Sequence, residues 1–356
     1  MTSWHTRDRG RATEAPVLLP GASGFIGSHI AEYFVAEQVP LVCFVRRNSN
    51  LEFLRTLPVK FTYGDITEPA DLLRGCEGCG AVIHAAARVS DWGAYQDFHA
   101  ANVRGTINVM DAAAAAGIRD VIVTGSNSCY GEEDSSEVKT EATPFRSHYP
   151  YFLDRWFPSA LNHYRDTKAE ASLAAQEEAV KRGMNLTIVH PVWVYGEREY
   201  HSGFFEYLQT VRSGIPVFPG SGRNRFHTIY CRNLAKVYYL AYRERLPGVN
   251  SFLAADDPAE RQYVLLEMFC REAGLRKPAR LPKAVVYPVA FAMELAASLG
   301  GANHSPMLTR ARVNIFYDNI QYSSEKARAV LHYEPDYTPA EGIRTTVALY
   351  RDHGLL

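Results

Sequence analysis

Through the first 190 residues, short unbroken apolar runs alternate with stretches whose apolar positions recur every three to four residues. The runs at 17–19, 41–45, 81–84, 121–124 and 186–190, and the more mixed 59–63, read as strands. Helical patterns follow at 26–37, at 95–116 with an alanine-rich end stopped by Gly117, and at 164–182 stopped by Gly183. Strand-then-helix alternation of this kind predicts βαβ units and a parallel sheet. After Pro191 the alternation loosens. Strand-like pieces at 225–230 and 251–254 mix with helices as far as Leu349, without internal repeats. The expected fold class is α/β, a Rossmann-type doubly wound parallel sheet with a smaller mixed C-terminal substrate lobe. The expected division is a disordered polar arm over 1–14 and a dinucleotide-binding domain over 15–191. The domain carries an aromatic insertion at 140–163, and a substrate lobe over 192–356 is interleaved with the sheet.

The turn after the first run is the most informative short segment. In Gly21-Ala-Ser-Gly24-Phe-Ile-Gly27 three glycines stand three residues apart. Gly21 permits a tight turn, Gly24 lets a pyrophosphate approach the backbone, and Gly27 lets helix pack on strand. The helix N-terminus offers unpaired N–H groups and partial positive charge to the phosphates. Ser23, Phe25 and Ile26, between the glycines, join the expected cofactor contacts. The alternative is an ordinary turn.

Composition narrows the class. The 356 residues are 47% hydrophobic and 22% charged with a net charge of −1, so no general attraction to nucleic acid is implied. Six scattered cysteines and no leader-like opening suggest a reducing cytoplasm. Cys76-Glu-Gly-Cys79 lacks a second ligand pair, so no metal is expected. No apolar run reaches membrane-spanning length; the nearest, 284–299, is interrupted by Pro288 and Glu294 and reads as a packed helix, with surface association as the alternative.

Tyr164-Arg-Asp-Thr-Lys168 places a phenol and an ammonium one helical turn apart, where the cation can lower the phenol's pKa for acid/base work. Tyr322-Ser-Ser-Glu-Lys326 repeats the spacing, but it lies far from the glycine loop and reads as a turn and helix start. The strand end at 121–124 leads into Gly125-Ser126-Asn127-Ser128-Cys129-Tyr130-Gly131, polar residues facing a cleft.

These segments occur in order with Gly64-Asp65-Ile66, His84-Ala-Ala-Ala87, Asn102-Val-Arg-Gly-Thr106 and Pro191-Val-Trp-Val-Tyr-Gly196. Together they resemble the extended short-chain dehydrogenases/reductases from about residue 16 to the end. The resemblance is strongest to the 3β-hydroxysteroid dehydrogenase and dihydroflavonol reductase-like group. It implies that Ser126 hydrogen-bonds the substrate oxygen, with Ser128 as competitor. It also implies that Tyr164 is the acid/base, that Lys168 tunes it and holds ribose, and that Asn102 bends a helix and relays protons. Asp65 and Ile66 would border the adenine, Ala85, Ala86 and Ala87 line the dinucleotide, and Pro191 and Val194 flank the nicotinamide. Each has a bland alternative: a turn for Asp65, a buried structural amide for Asn102. His84 reads as a core histidine.

Where an NAD enzyme carries an acid after its second strand, this chain has Arg46 and Arg47, which suit a 2′-phosphate. NADP(H) is favoured, with NAD(H) as the alternative. Departures from the family pattern are Pro20 before the loop, His190 in place of an arginine, Cys231-Arg232-Asn233 in place of an acidic helix start, and the long gap from Ser126 to Tyr164. The insertion in that gap holds Phe145, Tyr149, Tyr151, Phe152, Trp156 and Phe157. It reads either as a lid over the catalytic mouth, with Tyr151 and Trp156 touching substrate, or as packing. Arg223 or Arg225 stands where sugar-nucleotide members grip a diphosphate.

Three functions are weighed. The first is an NAD(P)H-dependent reductase interconverting a ketone and a secondary alcohol on a fairly apolar small molecule. The second is a nucleotide-sugar epimerase, dehydratase or ketoreductase, weakened by Asn127 and Ser128 where dehydratases carry acids. The third is a cofactor-binding regulator without turnover. A homodimer through the two long helices is expected from the resemblance alone.

Overall fold

The unbroken apolar runs become the centre of a sheet because they must bury both faces, while the mixed run at 60–63 takes the edge and stays part-exposed. The computed structural model describes residues 15–200, 203–218 and 220–356, so the arm expected over 1–14 lies outside the described residues. Seven strands run parallel: β1 (Val17–Pro20), β2 (Leu41–Val45), β3 (Lys60–Tyr63), β4 (Ala81–His84), β5 (Asp120–Thr124), β6 (Asn185–Pro191) and β7 (Val249–Ala254). Their order across the sheet is β7-β6-β5-β4-β1-β2-β3. Val17 pairs with Leu41 on one side and with Ala81 on the other, so the order reverses at β1. Reversal leaves a crevice beyond the carboxyl ends of β1 and β4, the place where such sheets take ligands.

On one face lie α1 (Phe25–Ala36) and, much later in the chain, α6 (Cys231–Glu244). On the other lie α2 (Pro69–Cys76), the rod α3 (95–115) and α4 (Ala160–Arg182). The middle of α3, His99–Arg104, is a π-helix between the α-helical Tyr95–Phe98 and Gly105–Ala115. Both stop signals act as read: Gly117 has φ +76°, and Gly183 caps α4 in the left-handed region. Helix α4 starts at Ala160, just past Pro158, so Tyr164 lies on the second turn and does not open the helix as its pattern suggests. The strand expected over 225–230 is split at His227 into Arg225–Phe226 and Thr228–Tyr230.

Seen in the sheet, β7 returns from the C-terminal half to pair with β6. The second lobe comprises α5 (Gly203–Arg212), α7 (Gln262–Glu272), α8 (Lys283–Leu299), α9 (Arg310–Tyr317), α10 (Glu325–Leu331) and α11 (Pro339–Asp352). A core of Tyr195, Phe204, Leu208, Phe269, Ile343 and Tyr350 holds α5, α7 and α11, whereas α8 and α9 share a small separate one around Val286, Ala290 and Val313. Among the described residues, no helix is long and apolar enough to cross a membrane.

Candidate active site

The glycine turn closes on backbone. Gly21 has φ +88°, and a Cβ there would stand 2.4 Å from the Ala86 nitrogen. A Cβ on Gly27 would stand 2.1 Å from the Gly21 oxygen. Gly24, the N-cap of α1, is exposed and donates back to Gly21 (3.0 Å); no side chain caps the helix, so its first N–H groups are free for an anion. Ser23, Phe25 and Ile26 line this turn half-buried, and Ala85, Ala86 and Ala87 follow β4 against it. Pro20 ends β1 where its pairing with β4 has stopped at Leu18, and its carbonyl accepts from Ala85 N–H. Arg46 and Arg47 lie exposed just past β2. These residues fit a dinucleotide: the groups closest to the turn are backbone and methyls, and the free N–H groups and guanidiniums face outward.

Asp65 is occupied locally. Its Oδ1 accepts from Thr67 N–H (2.9 Å) and Oγ1 (2.8 Å), an Asx-type turn, while Ile66 packs on Gly105 of α3. From the second lobe Arg198 reaches α1, donating to Ser28 Oγ, His29 Nδ1 and Glu32 Oε2. Next to it Glu197 is buried and balanced by Arg232 (2.9 Å) and the Tyr230 hydroxyl (2.7 Å). The departure at Cys231-Arg232-Asn233 thus places the cation that neutralises Glu197.

At the carboxyl end of β5 the expected catalytic residues converge. The Ser126 hydroxyl lies 2.7 Å from Ser128 Oγ, so the two serines form one hydroxyl pair. Burial pushes Tyr164 up to about 12; the neighbouring Ser126 side chain pulls the other way, and Cys129 and Glu132 add to the rise. The phenol is therefore protonated at neutral pH. Lys168, itself drawn down to about 8 by burial, donates to the Thr124 carbonyl oxygen.

The buried Asn102 accepts from Arg88 N–H (2.8 Å) and donates to Thr167 Oγ1 (3.0 Å), tying the loop after β4 to the helix that carries Tyr164. His84 is held neutral by burial, down to about 3, with Nε2 against Thr106 Oγ1 and Nδ1 without a partner. Pro191 ends β6, and Val194 lies beyond it in the short strand Trp193–Tyr195.

One positioning residue was visible in the sequence only as a departure. His190 packs its ring where a Cβ on Gly125 would fall, and its Nδ1 lies 3.2 Å from Ser126 N and 3.1 Å from Ser126 O. Burial depresses it to about 3, so the ring stays neutral and grips the backbone of the serine.

The insertion is anchored by buried cations. Arg165, next to Tyr164, is fully buried; it pairs with Glu132 and donates to the Tyr151 hydroxyl. Tyr151 stacks on Tyr149 at 4.5 Å, whose hydroxyl donates to Asp318 (2.7 Å). Tyr151 is therefore committed to protein partners, contrary to its place in a substrate lid. Arg310 of α9, paired with Glu294 (2.8 Å), donates to the carbonyl oxygens of Phe152 and Phe157. Trp156 stays exposed beside Arg155. Arg225 is spent on the Ala259 carbonyl (2.9 Å). Tyr322, expected to lie far from the site, is buried and donates to the Gly131 carbonyl (2.9 Å), so this tyrosine braces the serine loop.

Comparison with known proteins agrees with this geometry. Residues 17–251 match the NAD dependent epimerase/dehydratase family. The chain belongs to that family. It is an extended short-chain dehydrogenase/reductase, an enzyme class that uses NAD(P). A 2-alkyl-3-oxoalkanoate reductase of Stenotrophomonas maltophilia is 26% identical over 337 residues, covering 92% of this chain and 97% of that protein. A 3beta-hydroxysteroid-dehydrogenase/decarboxylase of Arabidopsis thaliana is 24% identical, covering 94% and 79%. Among solved structures gox2253 matches with a TM-score of 0.77 at 24% identity over 96% of this chain and all of that one. The UDP-glucose 4-epimerase of Thermotoga maritima matches at 0.73, 18% identity, 95% and 99% coverage.

Proposed function

We propose that this enzyme reduces the ketone of a fairly apolar small molecule to a secondary alcohol, with NADP(H) preferred. The observation that carries the reading is the buried, protonated Tyr164 phenol beside the Ser126–Ser128 hydroxyl pair at the carboxyl end of β5. A phenol held at about 12 keeps its proton until a stronger base forms beside it, and the alkoxide of a reduced ketone is such a base. A bound nicotinamide supplies the hydride. Ser126 donates to the carbonyl oxygen, Tyr164 protonates it, and His190 holds the serine backbone so that both hydroxyls meet one atom. The N-terminus of α1 takes the pyrophosphate, and Arg46 and Arg47 take the 2′-phosphate. Relatives named for 3-oxoalkanoates and 3β-hydroxysteroids favour an apolar substrate.

Tyr164→Phe tests the reading directly. Turnover with hydrophobic ketones should fall by about 10³-fold while NADPH affinity holds. Retained turnover, or stabilisation by UDP- or TDP-sugars and not by hydrophobic ketones, overturns it; the latter favours the epimerase frame.

A further inference from the structure

Arg165 follows Tyr164 directly in α4, and its guanidinium is fully buried. One edge holds Glu132: Nε donates to Oε2 at 2.6 Å, and Nη2 reaches the same oxygen. The other edge donates through Nη1 to the Tyr151 hydroxyl, and the cation lies over the rings of Tyr149 (5.5 Å) and Tyr151 (5.6 Å). Glu132 gives its second oxygen to the serine loop, where Oε1 accepts from Asn127 Nδ2 (3.3 Å). Asn127 opens the short turn Asn127–Tyr130, which Ser126 caps by accepting from Ser128 N–H. One ion pair therefore joins the residue after the phenol to the residue after the serine. Gly131 permits the reach. It turns the chain at φ +89°, and a Cβ there would stand 2.9 Å from the Arg146 carbonyl oxygen.

Stability alone does not account for the pair. Desolvating a guanidinium and a carboxylate offsets most of their attraction, and apolar side chains of the same volume often serve as well or better. A methionine at 165 would pack on the rings of Tyr149 and Tyr151. What it would not supply is balanced charge beside a phenol that must lose and regain a proton. The groups around that phenol come from three elements. The serine loop brings Ser126, Cys129 and Glu132, and α4 brings Arg165, with Lys168 one turn on. From α6 comes Tyr238, whose hydroxyl donates to Thr124 Oγ1 (2.7 Å). Cys129 is kept a thiol by burial, up to about 11, and Lys168 is given to the Thr124 carbonyl. Burial is the largest influence on the phenol; of the two paired charges, Glu132 raises its pKa further and Arg165 lowers it.

We propose that the Arg165–Glu132 pair is the positioning element of this active site: it seats the serine loop against α4 and governs how readily Tyr164 releases its proton. The proposal rests on Tyr164 being the acid/base of the reaction, and both residues act through Tyr164 and Ser126. Because the two charges oppose each other at the phenol, removing one displaces its titration and removing both largely restores it.

A ring-fluorinated tyrosine, a stronger acid than tyrosine, installed at 164 in the full chain brings the ionisation down toward pH values the fold survives. Fluorine NMR then reads it without turnover. Glu132→Gln leaves the cation unopposed and should lower the midpoint by about one pH unit. The doubly neutral Glu132→Gln/Arg165→Met should return most of the way to the fluorinated parent. A merely structural role would change melting temperature and leave the midpoints together. Parent and Glu132→Gln at one midpoint therefore overturn the proposal. So does a double variant displaced as far as the single one, which would assign the shift to packing. If Glu132→Gln does not fold, Arg165→Gln supplies the comparison with the opposite sign: its midpoint should rise by about as much, and no rise overturns the proposal. Turnover of hydrophobic ketones by the unlabelled chain is read separately. Its absence fells the ketoreductase reading, while the titration still decides the role of the ion pair.

Discussion

The two sides of the cleft are built by different means. On the cofactor side, backbone meets backbone: Gly21 against Ala86, Gly27 against Gly21, with no side chain in between. On the substrate side, two buried guanidiniums do the work, Arg165 holding Glu132 and Tyr151, and Arg310 holding Glu294 and the carbonyls of 152 and 157. A glycine contact tolerates no added carbon, so it is written into local spacing. The buried guanidiniums join residues that lie 33 positions apart (Arg165 and Glu132), 16 apart (Arg310 and Glu294) and 158 apart (Arg310 and Phe152), and leave no local signature.

Several substitutions break or sharpen that contrast. The largest effect on rate should come from Tyr164→Phe, about 10³-fold in kcat with cofactor binding intact, read by steady-state kinetics beside NADPH titration. Removing Arg310 as alanine leaves Glu294 buried without its cation and should cost about 3–5 kcal/mol in denaturant unfolding. An unchanged midpoint would show that the insertion is not held this way. Gly27→Ala drives a methyl into the Gly21 carbonyl and should cost at least about 2 kcal/mol, with cofactor affinity lost alongside stability. Joint replacement of Arg46 and Arg47 by alanine should lower the NADPH over NADH preference by roughly tenfold, about 1.4 kcal/mol, and leave stability untouched.

Smaller still, per group, is the acid response. His84 and His190 are held at about 3 in the fold against the ordinary 6.5, so the unfolded chain binds the extra protons. Stability is full above pH 6.5 and falls on acidification toward 3, by roughly 1 kcal/mol for each imidazole between neutrality and one unit below 6.5. His190→Gln should flatten part of that slope. The same variant should lower kcat more than it raises KM, because the ring holds the Ser126 backbone.

What was legible in the chain follows from what is local. The alternation of apolar runs set the strands and their parallel sense, because unbroken runs must bury both faces. The spacing of Gly21, Gly24 and Gly27 marked the tight turn into α1, and the order of Ser126, Tyr164 and Lys168 marked the candidate catalytic face. Pro158 shows the limit of this reading: it starts α4 one turn before Tyr164, which the Tyr-Lys spacing did not reveal.

Only the tertiary structure decided the rest. Lys168 turned to Thr124, Asp65 closed its own turn, and Tyr151 was taken by Arg165 instead of the cleft. His190 became the holder of Ser126 because β5 and β6 lie side by side, with a glycine at 125 leaving room for a ring. Tyr322, a decoy by spacing, was brought to Gly131 by the returning C-terminal segment. Periodicity and backbone geometry are properties of a few consecutive residues and can be read from them. Burial, and the pKa values and ion pairs it sets, belong to neighbours that only the folded chain supplies.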